Sequence, residues 1–327
     1  MSNVDFGPLN VQLRVKEMEL LDQTFFQQLI ESSSMESALK SLQGTTYNFI
    51  KDSTEIEPKL KDYVESFYHE LFELSPDPKI IEFATLKYTY HNLKVLFKNY
   101  YQEKDLMHLT VAIGRYNVEE LNLAVKTGQS EILPEIYMNA IHEVQAYMEE
   151  TDKIQHIDIL LDYEYMKHLF ELSEEIGEPI TTWTKEYIDL NRIIVAFRLL
   201  NLNKPVSSIS GLIPDIGYLK NNELVDASKN GAESLTKVLL ESEYGTKLSN
   251  LLDGKTSLDP IKIEKYLDNY FMDQLQQAKF ESFGELPVLA YIYAKETEIK
   301  NIRVILNGIK NNISKELISA SMRENYN

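Results

Sequence analysis

The chain has 327 residues, no cysteine and a formal net charge of −18 at pH 7. Those figures exclude disulfides, thiolate metal sites and cysteine nucleophiles, and they disfavour nucleic acid and anionic lipid, whose phosphates such an acidic surface repels. Hydrophobic residues at 43% allow a sizeable core, while only 12 glycines and 10 prolines argue for long helices and few hairpins.

A partner with basic patches is the natural complement of this surface, although solubility alone also accounts for the charge. The longest apolar stretches, 287–294 and 193–197, fall far short of the ~20 residues that span a bilayer. No charged segment followed by an apolar run opens the chain, so no signal peptide is expected.

The periodicity predicts a first helix over about 10–31, where Leu13, Leu20, Leu21, Phe25 and Leu29 trace one face. A shorter helix starts at Ser34-Met35-Glu36-Ser37 and stops near Gly44. Two long helices follow, about 58–74 and 78–102, split by Ser75-Pro76-Asp77-Pro78. The layout then returns: shorter helices at about 105–127 and 133–150, and long ones at about 155–175 and 179–201, divided by Gly177-Glu178-Pro179. It returns again after the loop 203–215, with short helices to about 252 and long ones at about 259–281 and 286–308, divided by Ser282-Phe283-Gly284. A last helix is expected at about 314–323.

Internal echoes support a repeat. Leu161–Leu169 (LDYEYMKHL) and Leu267–Leu275 (LDNYFMDQL) share the skeleton Leu-Asp-x-x-aromatic-Met-x-x-Leu, with a weaker copy from Val64 to Phe72. Glu36-Ser37 precedes Tyr47 by the same spacing as Glu233-Ser234 precedes Tyr244. Each second long helix carries an asparagine: Asn92, Asn191 and Asn301. Asparagine competes for local backbone groups and suits a helix interior poorly. Three at matched places point to one shared helix–helix hydrogen bond, against the plain alternative of unrelated surface asparagines. The expected fold is all-α, in three similar helical domains at 1–103, 104–205 and 206–327.

Motifs that suggest chemistry are weak. Gly254-Lys255-Thr256 resembles the end of a phosphate-binding loop, but Ser249 occupies the place of the required first glycine. The six histidines form no metal-binding signature, and the pairs Glu65/His69 and Glu164/His168 at i,i+4 read as surface ion pairs. No catalytic, cofactor-binding or metal-ligating residue is assigned. The C-terminal hairpin is the most distinctive region. An apolar opening, Pro287–Ala294, runs into Lys295–Arg303, where Glu296, Lys300 and Arg303 fall at i, i+4 and i+7, with Glu298 among them. Two readings stay open for this run: a solvated ion-pair face, or a charged rim facing a partner.

At these residues the chain resembles the C subunit of the archaeal and bacterial V-type (A/V) ATPases, the counterpart of the eukaryotic d subunit. The likeness rests on Gly284, Pro287, Ala290-Tyr291-Ile292, Ala294-Lys295-Glu296, Glu298, Asn301 and Arg303. Arg14–Leu21, Thr46-Tyr47 and Ile213-Pro214-Asp215-Ile216-Gly217 support it. Tyr90 in the first repeat, where the second has Asp189, is a departure. The resemblance implies a funnel of three similar domains about a pseudo-threefold axis. It also implies a non-catalytic rotor subunit of the central stalk, on the cytoplasmic face of the membrane. Its partners would be the D and F subunits of the central axle and the proteolipid ring, with no cofactor. The rivals are a soluble all-helical scaffold without a rotary role, and a helical enzyme with carboxylates and histidines converging near Glu65, His69, Glu164 and His168.

Overall fold

The computed structural model describes residues 5–102, 104–151 and 153–326, residue 268 by its backbone alone. The regular elements among them are all α-helices, joined by a few 3₁₀ turns. In chain order they are α1 (Gly7–Glu17), α2 (Gln23–Ile30), α3 (Met35–Leu42), α4 (Ile56–Leu74), α5 (Lys79–Gln102), α6 (Val118–Thr127), α7 (Glu135–Glu150) and α8 (His156–Ile176). There follow α9 (Ile180–Asn201), α10 (Asn221–Ser228), α11 (Ala232–Glu241), α12 (Gly245–Ser249), α13 (Pro260–Leu275), α14 (Leu286–Lys310) and α15 (Lys315–Ser321).

Side-chain caps start several of these helices where the sequence offers them. Asp22 accepts from the Phe25 N–H and Ser34 from the Ser37 N–H, while Asn117 and Glu120 form a reciprocal capping box. Gly128, at φ 68, ends α6 in the left-handed conformation that favours glycine.

Three expected helices are shorter than predicted, two of them because a buried polar side chain takes the backbone elsewhere. The helix expected over 10–31 is α1 and α2, separated where the Leu21 N–H donates to the Glu298 carboxylate instead of to its own helix. The helix expected over 105–127 reduces to α6. Asn92 clamps both backbone groups of Val111, which fixes the chain ahead of α6 outside a helix. The helix expected over 259–281 ends as α13 at Leu275 and continues to Phe280 only as a 3₁₀ turn.

The described chain divides into two compact units, Met1–Ala84 with Phe271–Asn327, and Thr85–Tyr270. In the first unit α14 is the central helix, with α1, α2, α3, α4 and α15 packed around it. Burial on nearly every side explains why 286–294 carries no polar stripe. Gly308 on α14 leaves the space that Ile318 of α15 fills: a Cβ there would lie 2.5 Å from Ile318 Cγ1. The same unit pairs α4 with α14, through Tyr68 and Glu296 and through Glu57, which accepts from Arg303 Nε at 2.9 Å and Asn307 Nδ2 at 2.8 Å.

In the second unit α8 packs against α7 and α9, and α9 against α10. Lys94 and Lys98 of α5 bond Asp162 and Asp158 of α8. Arg198 and Glu186 of α9 bond Glu264 and Tyr270 of α13. The exposed ion pairs among these set register more than stability, at up to about 1 kcal/mol each.

Candidate functional site

The charge run on α14 does not form a solvated face. Lys295, Glu296 and Glu298 are each under one-tenth exposed. The i, i+4, i+7 spacing of Glu296, Lys300 and Arg303 fits an exposed ladder, but Glu296 is covered by the helices packed around α14 and the three are not one solvated row. Glu298 Oε1 accepts from Tyr47 OH and from Lys295 Nζ, both at 2.6 Å, and its Oε2 accepts from the Leu21 N–H. The Lys295 ammonium also lies 5.0 Å from the Tyr47 ring centroid and 5.4 Å from that of Tyr63. Burial pulls the Lys295 pKa down, but Glu298 and Tyr63 outweigh it and the net shift is upward. Burial, and then Glu298, hold the Tyr47 hydroxyl well above the ordinary tyrosine range. Glu296 accepts from Tyr68 OH. Of the remaining candidates in this run, Arg303 is half-buried against Glu57 and Lys300 is exposed.

Asn301 uses its amide as a two-point clamp on a distant backbone. Its Nδ2 donates to Arg323 O at 3.0 Å, and its Oδ1 accepts from Arg323 N–H at 2.9 Å. Asn92 does the same to Val111, at 2.8 and 2.9 Å. Both asparagines are buried, and both hold the segment that follows their helix rather than another helix. The expected helix–helix hydrogen bond is therefore replaced by a helix-to-return-segment clamp.

Asn191 is not the third member. Its Nδ2 donates to Tyr187 O on its own helix. The equivalent role falls to the next residue, Arg192, which is fully buried and donates to the carbonyls of Pro214, Ile216 and Leu219. Five fork-shaped donors suit a curled backbone better than one amide. Asp189, three residues earlier, completes the cluster. Its Oδ1 lies 3.0 Å from Arg192 Nη1, and its Oδ2 accepts from Tyr244 OH at 2.8 Å and from the N–H groups of Tyr218 and Leu219. Burial pushes the Asp189 carboxyl up against the opposing effect of these donors, and it pushes the Arg192 guanidinium down. Gly217 is required here: φ is +105° and a Cβ would meet Asp189 Oδ1 at 2.5 Å.

A common pattern emerges on the second long helices. Thr89-x-x-Asn92, Asp189-x-x-Arg192 and Glu298-x-x-Asn301 each place a clamp residue one helical turn after a second polar side chain. The tyrosines of the echo noted in the sequence, Tyr47 and Tyr244, donate to Glu298 and Asp189 respectively. Near Thr89 the counterpart is uncharged. Tyr90 and Tyr137 stack face to face, and His168 meets both edge to face, with Tyr90 OH 3.3 Å from His168 Nδ1. Gly114 passes Thr89 as Gly217 passes Asp189, at φ +136° with a Cβ position 2.7 Å from Oγ1. Burial lowers the His168 pKa to about 4, so this cluster is neutral at physiological pH.

Chemically these arrangements fix helices. Their carboxylates are occupied by hydroxyl, ammonium, guanidinium and backbone donors. Among the described residues no cluster of three or more His, Cys, Asp or Glu is placed to hold a metal, and no helix is long and apolar enough to cross a membrane.

Comparison with known proteins agrees along the whole chain. The family described as ATP synthase (C/AC39) subunit matches residues 9–321. The C subunit of the V-type sodium ATPase of Enterococcus hirae is 31% identical over 327 residues, spanning 99% of each chain. The C subunit of the A-type ATP synthase of Methanocaldococcus jannaschii is 25% identical, over 96% of this chain and 86% of its own. The C subunit of the V-type ATP synthase of Thermus thermophilus is 21% identical, over 92% and 93%.

Proposed function

The chain belongs to the ATP synthase (C/AC39) subunit family, and from that premise we propose that it is a non-catalytic rotor subunit of the central stalk. On this reading it joins the D and F subunits of the axle to the membrane proteolipid ring, on the cytoplasmic face, and carries torque between them. The observation that carries the proposal is full-length similarity to the C subunit of a V-type sodium ATPase.

The interior supports a mechanical role. An adapter under torque needs joints that do not creep, and strain passes through close-packed interiors rather than being absorbed there. The clamps at Asn92, Arg192 and Asn301 tie each second long helix to its return segment by several hydrogen bonds. We extend the proposal to three similar domains forming a funnel about a pseudo-threefold axis. The recurring clamp supports it, and favours joints between domains at the turns 75–78, 177–179 and 281–285 instead of near residues 103 and 205.

The test is affinity purification of the tagged chain from detergent-solubilised membranes of its own host. Recovery of axle subunits and proteolipid ring in constant ratio is expected. Recovery of the chain alone, or with soluble proteins only, overturns the proposal.

A further inference from the structure

One end of the first unit exposes an apolar surface that its fold does not use. On α1 and the residues that cap it, Phe6, Leu9 and Leu13 turn to the core, while Val11, Val15 and Met18, at i, i+4 and i+7, turn away from it and are 68%, 60% and 85% exposed. Beside that stripe lies the segment joining α13 to α14. Asn10 Nδ2 holds it at Gly284 O (3.0 Å), and Arg14 Nη2 holds it at Ala278 O (2.6 Å) and Glu281 O (2.7 Å). This segment presents Phe280 and Phe283, 91% and 78% exposed. On the opposite flank Lys16 bonds Glu70 on α4, one turn before the partly exposed Leu74. The two phenylalanines alone expose roughly 300–400 Å² of apolar surface.

The charges around this surface choose its partner. Its three cations are all engaged within the chain: Arg14 with Glu17, Lys16 with Glu70, and Lys279 with the Tyr326 carbonyl. Glu19 and Glu281 are exposed, Glu285 is half-buried, and among the described residues none of the three carboxylates is held in an ion pair. Glu73 adds a fourth carboxylate, 3.6 Å from His69 Nδ1. An anionic leaflet would be repelled by such a rim. A second copy of the chain, meeting this face by twofold symmetry, would set the same carboxylates against each other.

We propose that this face of the first unit docks a protein partner whose apolar contact surface is rimmed by lysine and arginine. That the partner lies in the same rotary assembly rests on the function proposed above; the chemistry of the face does not.

The test uses the full chain in its host, with p-benzoyl-phenylalanine in place of Phe280, irradiated in intact membranes and analysed by mass spectrometry. The expected result is a covalent adduct to a peptide of another protein with Lys or Arg close to the crosslinked residue. The double variant Phe280→Ser, Phe283→Ser should leave the melting temperature of the purified chain unchanged, because both rings face water. It should lower recovery of that partner at least tenfold. Adducts to lipid, adducts to a second copy of this chain, no adduct, or undiminished recovery with the double variant each overturn the proposal. If the adduct forms on a basic protein surface but no rotary subunit co-purifies, the docking face stands and the rotor assignment falls.

Discussion

Glu298→Gln isolates the buried ion pair of α14. The substitution keeps the shape and removes the charge opposite Lys295; the single amide oxygen can accept from the Leu21 N–H while the amide NH2 donates to the Tyr47 hydroxyl oxygen, which rotates to accept. Lys295 is 3% exposed, so the uncompensated ammonium must lose its proton or drag water inward. Breaking a buried pair by removing one partner costs about 3–5 kcal/mol. Set against a total stability of roughly 5–15 kcal/mol, that is a large fraction, and at about 2–4 °C per kcal/mol it lowers the transition of the first unit by roughly 6–20 °C. Adding Lys295→Met should recover most of the loss, because an apolar replacement of a buried pair is often neutral or stabilising. Differential scanning calorimetry on the full chain, with circular dichroism as a check on folding, reads both variants. A single variant melting within about 2 °C of the parent, or a double variant no more stable than the single, would refute the idea that the pair is desolvated.

Three further outcomes follow from the same geometry. His168 has an ordinary pKa of 6.5 and a folded value of about 4, so below pH 6.5 the unfolded chain binds the proton first. Its contribution is full above pH 6.5 and is lost as the pH falls towards 4, by up to about 3 kcal/mol; urea titrations should show this component missing in His168→Phe. Gly217→Ala combines a positive φ with a Cβ 2.5 Å from Asp189 Oδ1, whereas Gly177→Ala has a similar φ of +110° and nothing within 4 Å. The first should cost more by about 1–3 kcal/mol, and equal losses would mean that the Asp189 contact is unimportant. Asn92→Ala leaves both backbone groups of Val111 unpaired and should cost about 2–3 kcal/mol. Asn191→Ala should be close to neutral, since alanine prefers the helix and Asn191 serves only its own carbonyl.

The long helices are legible in the sequence because proline and glycine mark their ends: α4, α5, α8 and α9 lie within about two residues of the bounds that periodicity predicts. Helix breaks imposed from far away are not legible. The gap between α1 and α2 is held by Glu298, 277 residues from Leu21 along the chain, and the only local mark of it is Asp22, the cap of α2, which the apolar periodicity of 10–31 runs straight through. The charge run Lys295–Arg303 misleads for a related reason. Spacing reports which residues share a face but not whether that face meets water, and here five helices cover α14. Matching asparagine to asparagine hides the third clamp. Arg192 differs in type and stands one position later, and the shared feature is a polar pair at i,i+3 on the buried face of each helix, which the sequence does not distinguish from the exposed polar residues around it. The tyrosine echo is visible in the sequence, yet its meaning depends on the two carboxylates that Tyr47 and Tyr244 reach.

The rotor assignment is tested most directly by watching the chain turn. Because it contains no cysteine, one cysteine introduced at exposed Leu123 gives this chain a single attachment point for a bead, on a purified assembly whose other subunits have been stripped of reactive cysteines and which is fixed to a surface through its catalytic head. The account predicts ATP-dependent, unidirectional rotation of that bead. A bead that stays still while a marker on the axle rotates would contradict it.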